Sequence, residues 1–316
     1  KSCPGVSMRF RSKLLILLLT VALIPLGLSF LAQQISVNHF GDKMAENARD
    51  WLQSSAETLL QTLTTYNGEV LSRDKAIAEM TLRIQAQAVE RRLAFDSPPA
   101  PPAVYYTSDY LSKQQQPPDL KPCPKHQYRD KHGDLVPIPV SYRHQVIYLP
   151  PGVTKNQVQD LIQRMSTMSD VYRSLHSIQP NLFLWHYTAL ERGLHVSYPG
   201  KGIYPKDYDP RKRIWYQATK ENREQTEQRI TDVTTGTLIL TLAAPVSYPD
   251  GSLAGVTAVD IDYRQFFADW KIPEEWADTM ECMVIVYHQD MRRSPNRKLE
   301  ILLHNQREDQ SQDWRI

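Results

Sequence analysis

Residues 208–262, YDPRKRIWYQATKENREQTEQRITDVTTGTLILTLAAPVSYPDGSLAGVTAVDID, contain the strongest folding signals of this 316-residue chain. Two β-prone runs lie at 237–244 and 253–261, and the first is expected to end at Pro245. Between the two runs, Pro249, Asp250 and Gly251 form a tight-turn sequence. Together these signals predict an antiparallel hairpin.

A cationic and aromatic corner precedes this hairpin. Asp209-Pro210 favours a turn, and Arg213 follows it beside Trp215 and Tyr216. Further upstream, the runs 182–187 and 193–198 are predicted to form another pair of strands. The middle of the chain is therefore predicted to form an antiparallel sheet, with an arginine and two aromatic side chains next to it.

The order of these motifs resembles a known family. R-x-W-Y at 213–216 is followed by D-x-x-T-G at 232–236, A-A-P-V at 243–246 and G-V-x-A-V-D-I at 255–261. This order resembles the C-terminal half of the membrane-distal unit of a double Cache domain, the PAS-like extracytoplasmic sensor of bacterial transmembrane receptors. W-H-Y-T-A-L-E at 185–191 extends the match. The resemblance implies an α+β fold with a long N-terminal stalk helix, a PAS-like antiparallel sheet and the start of a second, membrane-proximal unit.

The resemblance also implies a ligand site. Relatives that bind amines or amino acids surround the ligand with a set that Tyr208, Arg213, Trp215 and Asp260 match here. In such a site Arg213 would pair with a carboxylate, Asp260 would accept from an ammonium, and Trp215 would form an apolar wall. The second tyrosine of the pattern is replaced, because 229–232 reads RITD. An unspecified small polar ligand therefore stays an alternative to an amino acid.

Three more aromatic residues are candidates for the pocket wall, namely Trp185, Tyr187 and Tyr198. Each of them could instead be an ordinary core residue of the sheet. Arg213 has a structural alternative too, which is an ion pair with an acidic neighbour.

One uncharged segment, 14–32, is long enough to cross a membrane as a helix. Arg9, Arg11 and Lys13 precede it, so the positive-inside rule places that end in the cytoplasm. Everything after the segment is then extracytoplasmic, or periplasmic beyond an inner membrane. A cleaved signal peptide is the alternative, and it gives the same location.

A long helix is predicted over 36–94. It contains no proline, and Leu63, Val70, Ile77 and Ile84 recur at heptad spacing. This stripe is expected either to form a homodimeric stalk or to pack on the sheet of its own domain. The prolines of 97–102 end the helix. Loops or short extended pieces are expected up to 151, followed by a helix over 154–177.

Five segments follow from these signals. They are a cytoplasmic stub (1–13), a transmembrane helix (14–35), a stalk helix (36–96), a membrane-distal Cache sensor domain (97–268) and the start of a truncated membrane-proximal Cache unit (269–316). In the last segment, 263–270 is predicted to be a short helix, and 283–287 and 299–303 are predicted to be strands.

Several classes of function are excluded by the sequence. A net charge of +2 without a basic face argues against nucleic-acid binding. No phosphate-loop, metalloprotease or G-x-S-x-G motif is present, and the S-x-x-K match at 72–75 lacks its K-T-G partner, so the fragment is not expected to be an enzyme or to need a cofactor. Cys123 and His126 have no standard metal-ligand spacing. Cys123 and Cys282 are expected to be unpaired thiols.

The sequence thus predicts the ligand-sensing region of a bacterial signal-transduction receptor, with a small polar ligand and the membrane as its partners. The alternative is a membrane-anchored surface protein whose PAS-like domain mediates assembly without a ligand.

Overall fold

A computed structural model describes residues 10–94 and 103–262, a few positions between 270 and 276, and two strands near the C-terminus. The chain divides into two compact units, Lys1–Tyr66 and Asn67–Ile316. Cys282 and most of the predicted helix at 263–270 lie outside the described residues, and Cys123 is a free cysteine.

Helix α1 (Phe10–Ala94) is continuous over 85 residues and covers both the predicted membrane segment and the predicted stalk. Its N-terminal part contains the only stretch of the described residues that is long and apolar enough to span a membrane. A signal sequence passes the same test of length and composition, so both sequence-based alternatives stand. Pro25 lies within the helix. A proline is tolerated inside a membrane helix.

The last third of α1 packs on the sheet of its own unit. Its buried face differs from the predicted heptad line, because Ile84 is exposed whereas Leu82 is fully buried. The alternative in which the helix covers its own domain is therefore correct for this part of the chain. The buried residues of α1 are Asn67, Val70, Asp74, Ala78, Thr81, Leu82, Gln85, Val89 and Leu93.

Seven strands form the main sheet, in the order β1-β4-β6-β5-β10-β9-β8. Apart from the parallel pair β1–β4, its ladders are antiparallel. This architecture confirms the predicted α+β fold with a long N-terminal helix. The strands are β1 (Tyr105–Tyr106), β4 (Val146–Tyr148), β5 (Phe183–Leu190), β6 (His195–Tyr198), β8 (Thr226–Thr231), β9 (Leu238–Ser247) and β10 (Leu253–Asp262).

The predicted hairpin is present as β9 and β10, which pair from Leu253 opposite Ser247 to Asp262 opposite Ile239. The expected stop at Pro245 is wrong, because β9 continues through it to Ser247. The strand pair at 182–187 and 193–198 is confirmed by β5 and β6.

A second, three-stranded sheet corrects the expectation of loops before residue 151. It consists of β2 (Lys121–Arg129), β3 (Leu135–Ser141) and β7 (Gly200–Lys201), in the order β2-β3-β7. The prolines of β2 are tolerated because β2 is an edge strand. Those of β3 are tolerated because β7 pairs only with Val140 and Ser141 of that strand. Burial of Ile138 and Val140 anchors this sheet.

Short helices complete the unit. They are α2 (Thr107–Tyr110), α3 (Gln159–Met165), α4 (Met168–Ile178) and α5 (Ile214–Asn222). The single helix predicted over 154–177 is thus a 3₁₀ turn, Lys155–Val158, followed by α3 and α4. Apolar residues of this segment belong to the core, since Leu161, Met165 and Tyr172 are buried in one cluster with Val89 of α1.

At the C-terminus, β11 (Met283–Val286) and β12 (Glu300–His304) pair antiparallel in a separate two-stranded sheet. Both strands occur where the sequence predicted them. Their assignment to a second Cache unit stays a prediction.

Gln85 connects α1 to the centre of the main sheet. Its Nε2 donates to Thr257 Oγ1 at 2.7 Å and to the carbonyl oxygens of Ala258 and Tyr187 at 3.0 and 3.3 Å. Its Oε1 lies 2.9 Å from Nδ1 of His186. All these groups are buried, so Gln85 satisfies polar atoms of both central strands that water does not reach.

Replacing this amide tests how firmly α1 is held. We expect Gln85→Met to lower the free energy of unfolding by about 2 kcal/mol, because buried acceptors lose their donor. The matched control is Gln87→Met, on the same helix at an exposed position. Urea unfolding of both variants measures the difference. Equal stabilities would show that the Gln85 contacts contribute nothing.

Candidate functional site

The candidate site is a cavity on the face of the main sheet opposite α1. Its volume is about 30 Å³. Because side chains alternate along a strand, β5 and β10 present one set of residues to α1 and the other to this cavity. The lining residues are Trp185, Tyr187, His195, Ser197, Lys201, Tyr204, Tyr208, Arg213, Trp215, Ile230, Thr231, Asp232, Val233, Thr234, Ile239 and Asp260.

Six of the seven residues predicted from the sequence line this one cavity: Trp185, Tyr187, Tyr208, Arg213, Trp215 and Asp260. The seventh, Tyr198, is buried in the core cluster that contains Tyr172, and its hydroxyl donates to the Tyr142 carbonyl at 2.7 Å. For Tyr198 the structure therefore shows the core position that the sequence left as an alternative.

Asp260 is buried at the cavity wall, 3% exposed. Tyr187 Oη and Thr241 Oγ1 both donate to its Oδ1, at 2.8 and 2.6 Å. Among the described residues, none donates to Oδ2. Burial, followed by repulsion from Asp232, raises the pKa of Asp260 to about 7, although its hydrogen bonds and Lys201 act in the opposite direction.

Arg213 is half-buried and stands at the N-cap of α5. The preceding turn is fixed by Arg211, whose guanidinium donates to both oxygens of Asp209. Arg213 differs from Arg211, since no carboxylate within the described part of the chain lies at salt-bridge distance from it. A structural ion pair, the alternative weighed for this arginine, is thus not seen.

Aromatic rings enclose the charged groups. Tyr187 and Trp215 make an edge contact with centroids 5.0 Å apart. On the other side, Tyr204 stacks on Tyr148 at 4.5 Å, and Tyr148 Oη donates to the Tyr208 carbonyl at 2.6 Å. These contacts hold the rings in place without using the charges of the cavity.

Sequence reasoning missed several polar residues of the lining, and three of them, Asp232, Lys201 and His195, bear most on the charge of the cavity. Asp232 accepts from the indole of Trp185 at 3.2 Å and from the amide of Thr235 at 3.0 Å. Lys201 is 4% exposed and donates from Nζ to Thr234 Oγ1 at 2.6 Å. Asp232 belongs to the quoted D-x-x-T-G motif, so its turn was a usable signal. Nothing local marks Lys201 as buried.

The third missed residue is His195. Its Nδ1 is buried without a hydrogen-bond partner among the described residues. Burial, followed by repulsion from Lys201, lowers the pKa of His195 to about 3. The imidazole is therefore neutral at neutral pH and offers a bond to a polar group in the cavity.

Gly200 allows the backbone beside Lys201 to lie close to Tyr110 and His144. A Cβ at this position would collide with Tyr110 Oη and with the His144 carbonyl oxygen. The glycine lets β7 pair with β3, in register Val140 opposite Lys201.

Comparisons with known proteins give partial similarity. No protein-family model and no curated protein match this chain. A solved ligand-binding domain of the Pseudomonas aeruginosa PAO1 amino acid chemoreceptor PctC, in complex with GABA, is 27% identical and aligns over 32% of this chain and 47% of its own, with a TM-score of 0.28. That of the Pseudomonas fluorescens chemoreceptor CtaA, in complex with L-serine, is 20% identical over 39% and 48%, with a TM-score of 0.31.

A third example, from the amino acid chemoreceptor PctB of Pseudomonas aeruginosa PAO1 in complex with L-arginine, is 23% identical over 42% and 56%, with a TM-score of 0.32. The chain spans about half the length of these three domains. All three are ligand-binding domains of chemoreceptors. What the present cavity binds follows from its own residues.

The raised pKa of Asp260 predicts how stability changes with pH. The pKa is about 7 in the folded protein, against roughly 3.9 in an unfolded chain. The folded state binds this proton more tightly, so the free energy of unfolding falls as pH rises through that interval. Asp260→Asn removes the titration and keeps an acceptor for Tyr187 and Thr241.

From about pH 5 to pH 8 we expect the wild-type protein to lose roughly 2 kcal/mol relative to Asp260→Asn, measured by urea unfolding. Parallel pH profiles for the two proteins would contradict the raised pKa.

Proposed function

We propose that this chain is the ligand-sensing, extracytoplasmic region of a bacterial transmembrane receptor and that a small polar ligand binds in the described cavity. The observation that carries the proposal is the convergence of Arg213 and Asp260 on one ring-lined space. Soluble domains rarely keep an unpaired guanidinium and a buried carboxylate on one cavity without a purpose, because both are costly to desolvate.

The two charged groups have complementary roles in this proposal. Arg213 offers a planar fork of donors to a carboxylate, and such charge-assisted bonds are strong in a site shielded from water. Asp260 keeps Oδ2 for a donor of the ligand, and Trp215 supplies an apolar wall. An amino acid or an amine is the candidate that the sequence resemblance indicates.

Membrane anchoring follows from α1. The apolar stretch near its N-terminus would span the inner membrane, with 1–13 in the cytoplasm, 14–35 in the bilayer and the stalk 36–96 beyond it. The basic residues before the stretch support this orientation. The bulk of the chain, including a sensor domain at 97–268 and a second unit beginning at 269, would then be periplasmic.

Signal transfer would use the contact between the cavity and α1. Tyr187 donates its hydroxyl to Asp260 within the cavity, and its carbonyl oxygen accepts from Gln85 on the helix. A ligand that moves Asp260 would shift the balance between two packings of α1 on the sheet. A homodimer through the stalk would carry this shift to the membrane.

Ligand-induced stabilisation tests the proposal. The full chain in detergent is screened for a rise in Tm with amino acids, amines and small carboxylates, because a ligand at 100 times its Kd adds about 2.7 kcal/mol. We expect Arg213→Ala and Asp260→Ala to abolish the response, since each removes a charged contact.

The matched control is Lys212→Ala, an exposed cation next to Arg213 that does not line the cavity. It should respond as the wild-type protein does. An unchanged response in both cavity variants would mean that the ligand binds outside this cavity and would contradict the proposal. No response of the wild-type protein to any compound would favour the alternative, an anchored surface protein whose domain mediates assembly without a ligand.

A further inference from the structure

Lys201 places a cation inside the cavity that a zwitterion-binding site does not need. Its Nζ lies 3.7 Å from the centroid of the Trp185 ring and 5.2 Å from that of Tyr204. One aromatic face of the cavity is therefore already covered by an ammonium of the protein.

The same ammonium stands among the acidic groups of the cavity. Trp185, beneath it, is the cross-strand neighbour of Asp260 and donates its indole N–H to Asp232. Attraction by Asp232 and Asp260 opposes the effect of burial on Lys201, whose pKa is lowered to about 8. Lys201 is therefore still protonated at neutral pH, and it screens both carboxylates from a second cation.

Unused donors in the cavity point toward an anion. An ammonium has three N–H groups. Within the described part of the chain, Thr234 Oγ1 is the one acceptor of Lys201, and no carboxylate is at salt-bridge distance from it or from Arg213. Asp232, by contrast, already accepts from Trp185 and Thr235. The cavity thus offers more free positive donors than free negative acceptors.

We propose that Lys201 occupies the place of a ligand ammonium, so that the cavity selects small carboxylates that lack an amino group, such as short hydroxy or unsubstituted acids. This inference rests on the proposed function, because it requires that a ligand binds in this cavity. The ligand carboxylate lies between Arg213 and Lys201. Oδ2 of Asp260 accepts a hydrogen bond from the hydroxyl of a hydroxy acid. When the acid has no hydroxyl, Asp260 shares a proton with the ligand instead.

Three acids with the same carbon skeleton test the selection. L-Lactate, propionate and L-alanine differ only in a hydroxyl, a hydrogen or an ammonium at the second carbon. Their Kd values for the full chain in detergent are measured by calorimetry, with Tm shifts alongside. We expect lactate and propionate to bind at least tenfold more tightly than alanine.

Removing the ammonium should reverse the order. Lys201→Met keeps a long apolar stem over Trp185 but frees the acidic groups for a ligand cation. We expect alanine to gain at least tenfold and lactate to lose at least tenfold relative to the wild-type protein. Lys201→Gln provides a second neutral variant if the methionine variant does not fold. Lys206→Met, at an exposed position of the same segment, is the matched control and should leave all three affinities unchanged.

Each outcome has a distinct meaning. Alanine binding as tightly as lactate to the wild-type protein would overturn the selection for acids without an amino group and leave the proposed function standing. Unchanged preference in both neutral Lys201 variants would also overturn it. No binding of any of the three acids to the wild-type protein or to the variants would overturn the selection as well, whereas the proposed function is overturned only if the Tm screen also finds no ligand.

Discussion

Burial of the central strands on both faces is the constraint on which this structure depends. All eight residues of β5 are buried, and β10 is buried over nine of its ten. One face of this pair receives α1 through Gln85, and the other forms the floor of the cavity through Tyr187 and Asp260. Because the two faces belong to the same two strands, this strand pair is the direct physical connection between Asp260 and the seating of α1.

The charges of the cavity are arranged at a cost to stability. Burial raises the pKa of Asp260 to about 7 and lowers that of Lys201 to about 8, and both shifts mean that the folded protein opposes the charged form. Groups that destabilise a fold in this way cluster at functional sites. Both groups are buried among aromatic residues, and burial strengthens any charge-assisted contact that they make.

Much of the fold was predictable because its signals are local. The uncharged segment, the long helix without proline and the turn at Pro249-Asp250-Gly251 each identify an element from neighbouring residues. The strands β2 and β3 were missed for the opposite reason. Their prolines discourage a strand locally, and only the edge position of β2 and the short pairing with β7 make them acceptable.

The residues of the candidate site also include some that the sequence identifies and some that it does not. Arg213 and Asp260 belong to motifs whose order could be recognised, and the structure brings them to one cavity. Lys201 could not be found, because its burial depends on Gly200 and on the approach of Tyr110 from a distant part of the chain. Tyr198 carried the same sequence signal as Tyr187, yet it lies in the core cluster beside Tyr172. Alternation along a strand separates such residues only once the register is known.

A crystal structure of the protein with saturating L-lactate tests the central claim most directly. The account predicts the ligand in this cavity, with its carboxylate at hydrogen-bond distance from the guanidinium of Arg213 and the ammonium of Lys201. A ligand bound elsewhere, or Arg213 and Asp260 pointing to opposite faces with no space between them, would contradict it.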